Sequence, residues 1–360
     1  MSLQNESETE LINNQKPFRD KLVGLSQNAY LRFVFRKIIF YLIILYVALT
    51  LVWLIPRMMP GDPLNYLFSS SGAGSGQWQD QRKAELRQFY GLDKPLLDQY
   101  ISYWQNLLQF NFGYTFSQTR ITVLNAILPA FYLTMMLVIP TLIIGFFLGN
   151  YIGSKAAVYK GTESKLIYYT SITFQSAPYY WTALLAMILF FFFDDQLKID
   201  LFPNKWYLLS LDYFFQNPIV FLQHYIIPFT IMLMFSTGGW STGMRAMMLY
   251  ELDAPYLLYS KQLGFKKSLI ESYARRNAIL PQITGLNLRL NELIGATIIV
   301  EYVFSYPGLG RIIVESASSQ NYPLIVGSFV IIIMVTVIGN FLLDILYGLI
   351  DPRIRTGSRN

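Results

Sequence analysis

The sequence predicts an all-α polytopic membrane protein, because it is poor in charge and contains long uncharged stretches. Only 14% of its 360 residues are charged and 53% are hydrophobic, whereas about a quarter of residues are charged in a typical soluble domain. A helix needs ~20 predominantly apolar residues to cross a bilayer. Five uncharged stretches reach or approach that length: Ile38–Ile55, Ile121–Ser154, Leu166–Phe193, Tyr213–Met244 and Ser316–Leu343. A transmembrane barrel would instead show short strands of alternating polarity.

The uncharged stretches place five transmembrane helices, and a less apolar stretch supplies a sixth. In chain order the predicted spans are Ile38–Ile55, Leu128–Ile152, Leu166–Phe193, Val220–Trp240, Pro281–Val303 and Leu324–Tyr347. The fifth is the less apolar one, since it contains Arg289, Glu292 and Glu301. The transmembrane domain is therefore predicted at 38–350, with an external loop at 56–127 and a cytoplasmic loop at 241–282.

The distribution of Lys and Arg predicts that both termini are cytoplasmic. In this arrangement the cytoplasmic segments hold 18 of these residues and the external segments hold nine, six of which lie in the long external loop. Long loops count little in the positive-inside rule, so the deciding comparison is 18 against three. The segment 1–37 and the tail 351–360 are therefore predicted to be cytoplasmic, in a multi-pass protein of the cell (inner) membrane. The same bias explains the net charge of +6 without a nucleic-acid partner.

The cytoplasmic loop carries a helical pattern in two parts. Leu252, Tyr256, Tyr259 and Leu263 form one apolar stripe at helical spacing, and Leu269, Tyr273 and Leu280 form a second. Gly264 stands where a glycine ends a helix, and Pro281 is expected to mark the entry to span five. The pattern therefore predicts two short helices under the membrane. They either lie against anionic lipid or dock a cytoplasmic partner.

The external loop is also patterned as helices. One helix is predicted at Asp80–Tyr90, closed by Gly91, and a second opens at Asp93. The second has an apolar face made by Leu97, Tyr100, Trp104 and Leu107. A loop of this length is usually functional or disordered. Ordered patterning leaves two interpretations, a contact with an external partner or a cap over the outer ends of the spans.

Span five contains polar residues that are costly inside a bilayer. Arg289 and Glu292 are three residues apart, so they can pair on one helix face. Asn287 and Asn291 add polarity to the same span. The cluster either lines a translocation path or holds helices together as a structural ion pair. Tyr179 and Tyr180 on span three either line a path or pack, and packing is favoured.

Seven motifs follow one another along the chain from Phe33 to Arg355: RMMPGDP, YGLDKPLLDQY, FGYTFS, the loop from Arg245 to Pro281, VEYVFSYPGLGR, NYPLI and LLDILYGLIDPRIR. Together they resemble the first permease subunit of binding-protein-dependent ABC importers in the oligopeptide, dipeptide and nickel group. The loop is similar to the cytoplasmic "EAA" loop of those permeases, although Leu258, Tyr259 and Ser260 replace its Glu-Ala-Ala triplet. The stretch GGWSTGMR is more similar to relatives that import oligosaccharides.

The resemblance implies a type I ABC importer permease fold that forms half of a translocation path for peptides or oligosaccharides. It implies as partners a second homologous permease, two ATP-binding subunits that hold ATP and Mg, an external substrate-binding protein and the lipid bilayer. Coupling to the ATPase would fall on Glu251, Asp253, Ala254, Tyr256, Gly264, Phe265, Leu280 and Pro281. The path would include Asn287, Arg289, Glu292, Tyr179 and Tyr180. Contact with the binding protein would involve Ser71, Gly72, Tyr90 and Trp104.

The chain itself is not expected to be an enzyme or to hold a cofactor. It contains no G-x-x-x-x-G-K-S/T phosphate-binding loop, since no glycine is followed by lysine. It has a single histidine, His224, and no metal-binding spacing. An intramembrane enzyme would need paired acids or a Ser with a nearby His inside the spans. The alternative transport function is an ion-coupled secondary transporter, for which inverted repeats would be expected.

Overall fold

The computed structural model describes residues 30–55, 57–58, 77–89, 91–116, 121–197, 216 and 218–350, which are nearly all α-helical. The helices are α1 (Tyr30–Ile55), α2 (Gln77–Phe89), α3 (Leu96–Leu108), α4 (Val123–Val158), α5 (Thr162–Ser176), α6 (Tyr179–Leu197), α7 (Pro218–Leu252), α8 (Pro255–Gln262), α9 (Lys267–Thr284), α10 (Leu286–Val303), α11 (Leu309–Ser318) and α12 (Tyr322–Ile350). Extended pairing within these ranges is limited to one bridge, between Tyr114 and Thr122. The all-α prediction is confirmed for this part of the chain.

The chain forms two compact units, one spanning 49–333 and one made by 1–48 together with 334–360. In the second unit, Lys37 Nζ lies 2.6 Å from Asp344 Oδ2. The Tyr41 hydroxyl donates to the same carboxylate oxygen at 2.8 Å. A carboxylate on an apolar helix is costly unless it is paired, so this contact holds α1 and α12 together within the second unit.

The first unit is organised by the contact between α4 and α7, its two longest helices. Gly145, Gly149 and Gly153 repeat every fourth residue of α4 and so share one face. A Cβ at Gly149 would lie 2.5 Å from Trp240 Cβ and 2.7 Å from the Thr237 carbonyl oxygen on α7. In a membrane, small residues at such spacing let two helix backbones approach closely enough for van der Waals packing to hold them.

Three helices are long and apolar enough to cross a membrane: Tyr30–Ile55, Val123–Val158 and Tyr322–Leu349. They match predicted spans one, two and six. The pair formed by α9 and α10 is a fourth candidate, bent by 53° at its break. The chain is thus an all-helical membrane protein, and a count of six spans stays a prediction.

The predicted third span, Leu166–Phe193, is interrupted in the structure. The chain breaks into α5 and α6 at Ala177, whose ψ of 134° is extended. Proline disfavours helical geometry at the residue before it, so α5 ends before Pro178. The apolar part of α6 that remains, Tyr179–Phe190, is shorter than a span.

Pro281, expected to mark the entry to span five, is not a helix boundary in the structure. It lies inside α9, and the chain bends after that helix, at Gly285. A proline within a helix removes one backbone donor, which neighbouring helices and local adjustment can compensate. Predicted span four, in contrast, lies wholly inside α7, which continues to Leu252 before the cytoplasmic loop turns.

We predict that Gly149→Ala will lower the stability of the purified protein although alanine is the better helix former. The added methyl would overlap Trp240 and Thr237, and overpacking of this kind costs about 1–3 kcal/mol. Gly295→Ala on α10 is the matched control, because nothing lies within 4 Å of its added Cβ. The thermal unfolding midpoint in detergent should fall for Gly149→Ala and stay level or rise for Gly295→Ala. Equal midpoints would contradict the close α4–α7 contact.

Candidate functional site

The turn predicted at Gly264 is present between α8 and α9. Gly264 has a φ of +80°, a left-handed conformation that glycine adopts without strain. Its N–H donates to the Lys261 carbonyl at 3.1 Å, and the Phe265 N–H donates to the Ser260 carbonyl at 3.2 Å. These two bonds form a Schellman motif, which closes the C-terminus of α8. The loop is therefore a rigid helix–turn–helix and not an irregular connection.

The face that α8 presents to the rest of the chain differs from the predicted stripe. Leu257 is the buried residue of α8. It belongs to a small core cluster that α7 and α9 complete with Met244, Met248, Ala274 and Ala278. Tyr256, Tyr259 and Leu263 are exposed, and so are Leu269, Tyr273 and Leu280 of the second stripe. Leu252 of the first stripe, at the end of α7, packs against that cluster instead. The other residues of the two stripes face outward, where a partner or lipid can reach them.

A polar network fixes the junction of α7, α8 and α9. The Tyr256 hydroxyl bonds to the Glu251 carboxylate at the end of α7. Asn277 Nδ2 on α9 donates to the Tyr256 oxygen at 2.7 Å. Partial burial and the bond to Glu251 raise the pKa of Tyr256, so the phenol stays protonated and can donate. The three helices are therefore tied by both apolar and polar contacts.

The other predicted coupling residues divide into two groups. Ala254 is the N-cap of α8, and Asp253, Gly264 and Phe265 occupy the exposed turns at the two ends of that helix. Leu280 and Pro281 lie near the far end of α9, about 20 Å along its axis from Lys267 at a rise of 1.5 Å per residue. The structure does not bring them to the turn.

The predicted ion pair on α10 is present and has two further neighbours. Arg289 Nη1 lies 2.7 Å from Glu292 Oε2. The Tyr179 hydroxyl donates to Glu292 Oε1 at 3.2 Å, and the Arg289 guanidinium stands 5.6 Å from the ring centroid of Trp240. Arg289 fits against α7 because residue 239 is glycine: a Cβ added there would overlap the guanidinium.

Tyr179 and Tyr180 differ in burial and point to different sides of α6. Tyr179 is partly buried, and its ring centroid is 4.3 Å from that of Phe235. Tyr180 is exposed and lies on the other side of α6. Asn287 is partly buried in the first turn of α10. Of the five predicted path residues, Arg289, Glu292 and Tyr179 thus form one cluster.

The described part of the loop predicted to be external packs against the C-terminal end of α1. Trp104 is half-buried beside Tyr100 and Tyr103 of α3, and the Tyr100 hydroxyl lies 2.9 Å from the Thr50 hydroxyl. These contacts favour the cap interpretation for Trp104. Leu97, expected on the same face, is instead 70% exposed. The other predicted binding-protein contacts, Ser71, Gly72 and Tyr90, lie outside the described residues.

A family model described as "Binding-protein-dependent transport system inner membrane component" matches residues 145–356, more than half of the chain. The chain belongs to this family. The Oligopeptide transport system permease protein AppB of Bacillus subtilis (strain 168) is 28% identical over 327 residues, covering 89% of this chain and 98% of that protein. The Di/tripeptide transport system permease protein DppB of Pseudomonas aeruginosa (strain UCBPP-PA14) is 28% identical over 312 residues, covering 83% and 91%. The resemblance to ABC importer permeases is confirmed.

Sequence reasoning missed how a carboxylate organises this permease. Glu301 is 0% exposed. It accepts from the Thr134 hydroxyl of α4 at 2.6 Å and from the Gly310 N–H of α11 at 2.6 Å. Thr134 Oγ1 in turn accepts from the Leu309 N–H at 2.9 Å. The first N–H groups of α11, which a helix leaves unpaired, are thus bound by a buried carboxylate and a hydroxyl.

The glycines of the YPGLGR motif explain why the carboxylate fits there. A Cβ at Gly308 would overlap the Glu301 carboxylate, and a Cβ at Gly310 would overlap the backbone of Ile298. A second contact joins two other motifs, because Asn321 Oδ1 accepts from the Phe116 N–H at 3.1 Å. One sequence signal could have predicted this buried carboxylate. Glu301 is a charge in an apolar span, and two glycines, Gly308 and Gly310, follow it within ten residues.

Within the ranges that the structure describes, no cluster of three or more His, Cys, Asp or Glu side chains could hold a metal ion.

We predict that Thr134→Val will destabilise the permease by about 2–3 kcal/mol, the cost of leaving a buried charged group short of a hydrogen bond. Valine keeps the shape of threonine but removes both the donor to Glu301 and the acceptor for Leu309. Thr230→Val is the control, since that exposed hydroxyl bonds only to the Ile226 carbonyl of its own helix. Denaturation of the two variants in detergent separates them, and similar curves would refute the role given to Glu301.

Proposed function

We propose that this permease forms half of the translocation path of an ATP-driven ABC importer for peptides. The observation that carries the proposal is the match to AppB over 89% of this chain and 98% of that protein, since its printed name is that of an oligopeptide transport permease. Six spans with both termini in the cytoplasm of a cell-membrane protein fit the Lys and Arg distribution.

The proposal gives the chain three kinds of protein partner. A second homologous permease completes the path, and an external binding protein delivers the cargo. Two ATP-binding subunits hold ATP and Mg, because the sequence of this chain lacks a phosphate-binding loop. ATP hydrolysis then occurs outside this chain, and closure of the ATPase pair moves the cavity from one side of the membrane to the other.

Coupling to the ATPases is assigned to the exposed side of α8 and its turn. Leu258, Tyr259, Leu263 and Phe265 form an outward apolar patch there. Leu257 and the Glu251–Tyr256–Asn277 network tie the same helix to α7 and α9. A displacement of α8 would therefore be transmitted to α7, a continuous helix of 35 residues. Residence on lipid alone would not require such a rigid connection.

The translocation path is assigned to the exposed face of α10. Leu288, Asn291, Glu292, Gly295, Ile299 and Tyr302 share this face and are exposed in the isolated chain. The buried face of α10, with Leu293 and Val300, packs on the first unit's core. Asn291 and Glu292 make the centre of this face polar, and polar groups inside a membrane are expected to border water or a partner helix, which supports a path between the two permeases.

Peptides are favoured over oligosaccharides as the cargo. The relatives named above carry peptide or oligopeptide transport in their names. The GGWSTGMR stretch that resembles oligosaccharide importers also has packing roles, because Gly238 contacts α5, Gly239 contacts Arg289 and Gly243 contacts Gln282. An ion-coupled transporter remains the alternative, and it is distinguished by uptake that persists without ATP.

We predict that Gly264→Val will uncouple ATP hydrolysis from uptake. Valine is strained at a φ of +80°, so the Schellman turn and the patch beside it will distort, at a cost of about 1–3 kcal/mol. Gly264→Asn is the control, since asparagine tolerates this conformation. The assay is ATP-dependent peptide uptake and ATP hydrolysis by the complex purified with its partners. ATP-independent uptake by the wild type would refute the importer, and full coupling in Gly264→Val would refute the docking role.

We predict that a cysteine at position 295 will react with a charged, membrane-impermeant thiol reagent in the assembled importer. The chain contains no cysteine, so each substituted thiol is the only one it carries. Gly295→Cys lies one turn from Glu292, and no atom lies within 4 Å of its Cβ. Phe147→Cys on the exposed side of α4 is the lipid-facing control and should react slowly. Equal labelling of the two positions would place the path elsewhere.

A further inference from the structure

A cavity of about 830 Å³ lies on the side of the first unit that is predicted to face outside. It is enclosed by α2, α3, the segment around Tyr114, and the first turns of α12. Sites for small ligands have ~300–1,000 Å³ and combine aromatic walls with a few fixed polar groups. Tyr103, Phe112 and Tyr322 are among the aromatic walls here. Its size and composition therefore match a small-molecule site.

Arg57 supplies the fixed polar group of this cavity. Its Nε donates to Gln99 Oε1 at 3.3 Å, and its Nη1 donates to the Trp53 carbonyl at 2.8 Å. The guanidinium also stacks over the Trp53 ring, 4.1 Å from its centroid. Nη2 has no hydrogen-bond partner among the residues that the structure describes. Nε and Nη1 are thus held by the protein, while Nη2 remains able to bind.

Gln99 is itself held in place. Its Nε2 donates to the Lys94 carbonyl at 2.9 Å, in the turn that Gly91 begins with a φ of +65°. The side-chain amide is therefore oriented with its oxygen toward Arg57. A group whose own supports are anchored in this way loses little freedom when a ligand binds.

The charge of the cavity is positive. Arg57, Arg87 and Lys94 line it, and no carboxylate does so among the described lining residues. Burial lowers the pKa of Arg57 to about 10, and no described carboxylate offsets that effect. An anion placed beside the guanidinium would remove this cost, because opposite charge favours the charged form.

We propose that this cavity binds the terminal carboxylate of a peptide that arrives from outside. Arginine matches a carboxylate with two parallel N–H donors, which makes such pairs stronger and more specific than neutral ones. The aromatic walls would receive the apolar side chains of the peptide. The proposal rests on the peptide-importing function proposed above, and it assigns Arg57 of the RMMPGDP motif a role in holding cargo.

The test is peptide binding to the full-length chain in nanodiscs of phosphatidylcholine, measured by equilibrium dialysis. The probe is N-acetylated, radiolabelled Ala-Phe-Ala, compared with its C-terminal amide. The free acid should bind at least tenfold more tightly than the amide, the loss expected when one charge-assisted hydrogen bond is removed. This comparison uses only the wild-type chain, so it does not depend on a variant that folds.

Variants then locate the site. Arg57→Gln should weaken binding of the free acid at least tenfold. The affinity of Arg57→Lys should lie between those of Arg57→Gln and the wild type, because lysine keeps the positive charge but lacks the planar pair of N–H donors. Lys83→Gln is the matched control, since Lys83 lies on α2 with Arg87 but does not line the cavity. It should bind like the wild type.

Equal binding of acid and amide, unchanged binding by Arg57→Gln, or no binding by the wild type would each overturn the proposal. Weaker binding of the free acid in phosphatidylglycerol nanodiscs that is not restored at high salt would assign the cavity to an anionic lipid headgroup and would also overturn it, because salt screens repulsion by the bilayer surface. ATP-dependent uptake is measured separately, so uptake without cavity binding would refute this inference and leave the importer function standing.

Discussion

The close approach of α4 and α7 is the contact on which the rest of the first unit depends. Lipid tails are as apolar as leucine, so two helices in a membrane gain little from burying apolar surface against each other. Their association relies on van der Waals contact over a long interface, which the glycines of α4 permit. With α4 packed on one face of α7, the other faces of α7 contact α5, α9 and the Arg289 side chain.

Because α7 is long, it links two sites that lie far apart along the molecule. At 1.5 Å per residue, its 35 residues extend about 50 Å, from Pro218 to the junction with α8 at Leu252. The same helix therefore contacts the Glu251–Tyr256–Asn277 network at one end and Arg289 nearer its middle. A continuous helix, with no flexible linker, thus joins the α8 junction to the Arg289–Glu292 pair.

Much of this arrangement could be read from the sequence, and the failures have physical causes. Charge depletion predicted the helical class, and the φ preference of glycine predicted the turn at Gly264. The i, i+3 spacing predicted the Arg289–Glu292 pair, but Tyr179 lies 113 residues from Glu292, and one-dimensional spacing does not encode that contact. Sequence alone did not predict what each proline does to its helix, because whether proline ends a helix depends on the groups that replace its missing hydrogen bond. At Pro178 the helix ends, whereas at Pro281 it continues.

Three charged side chains of this permease show how surroundings determine what a charge can do. Glu301 is surrounded by donors from α4 and α11, so it is a structural element with nothing left to offer a ligand. Glu292 is paired with Arg289 but remains 43% exposed, so a solvent or ligand group can reach it. Arg57 is half-buried and held through Nε and Nη1, and no described carboxylate pairs with it. A charge removed from water is costly without a counter-ion. The peptide carboxylate proposed as the ligand of Arg57 would supply that counter-ion.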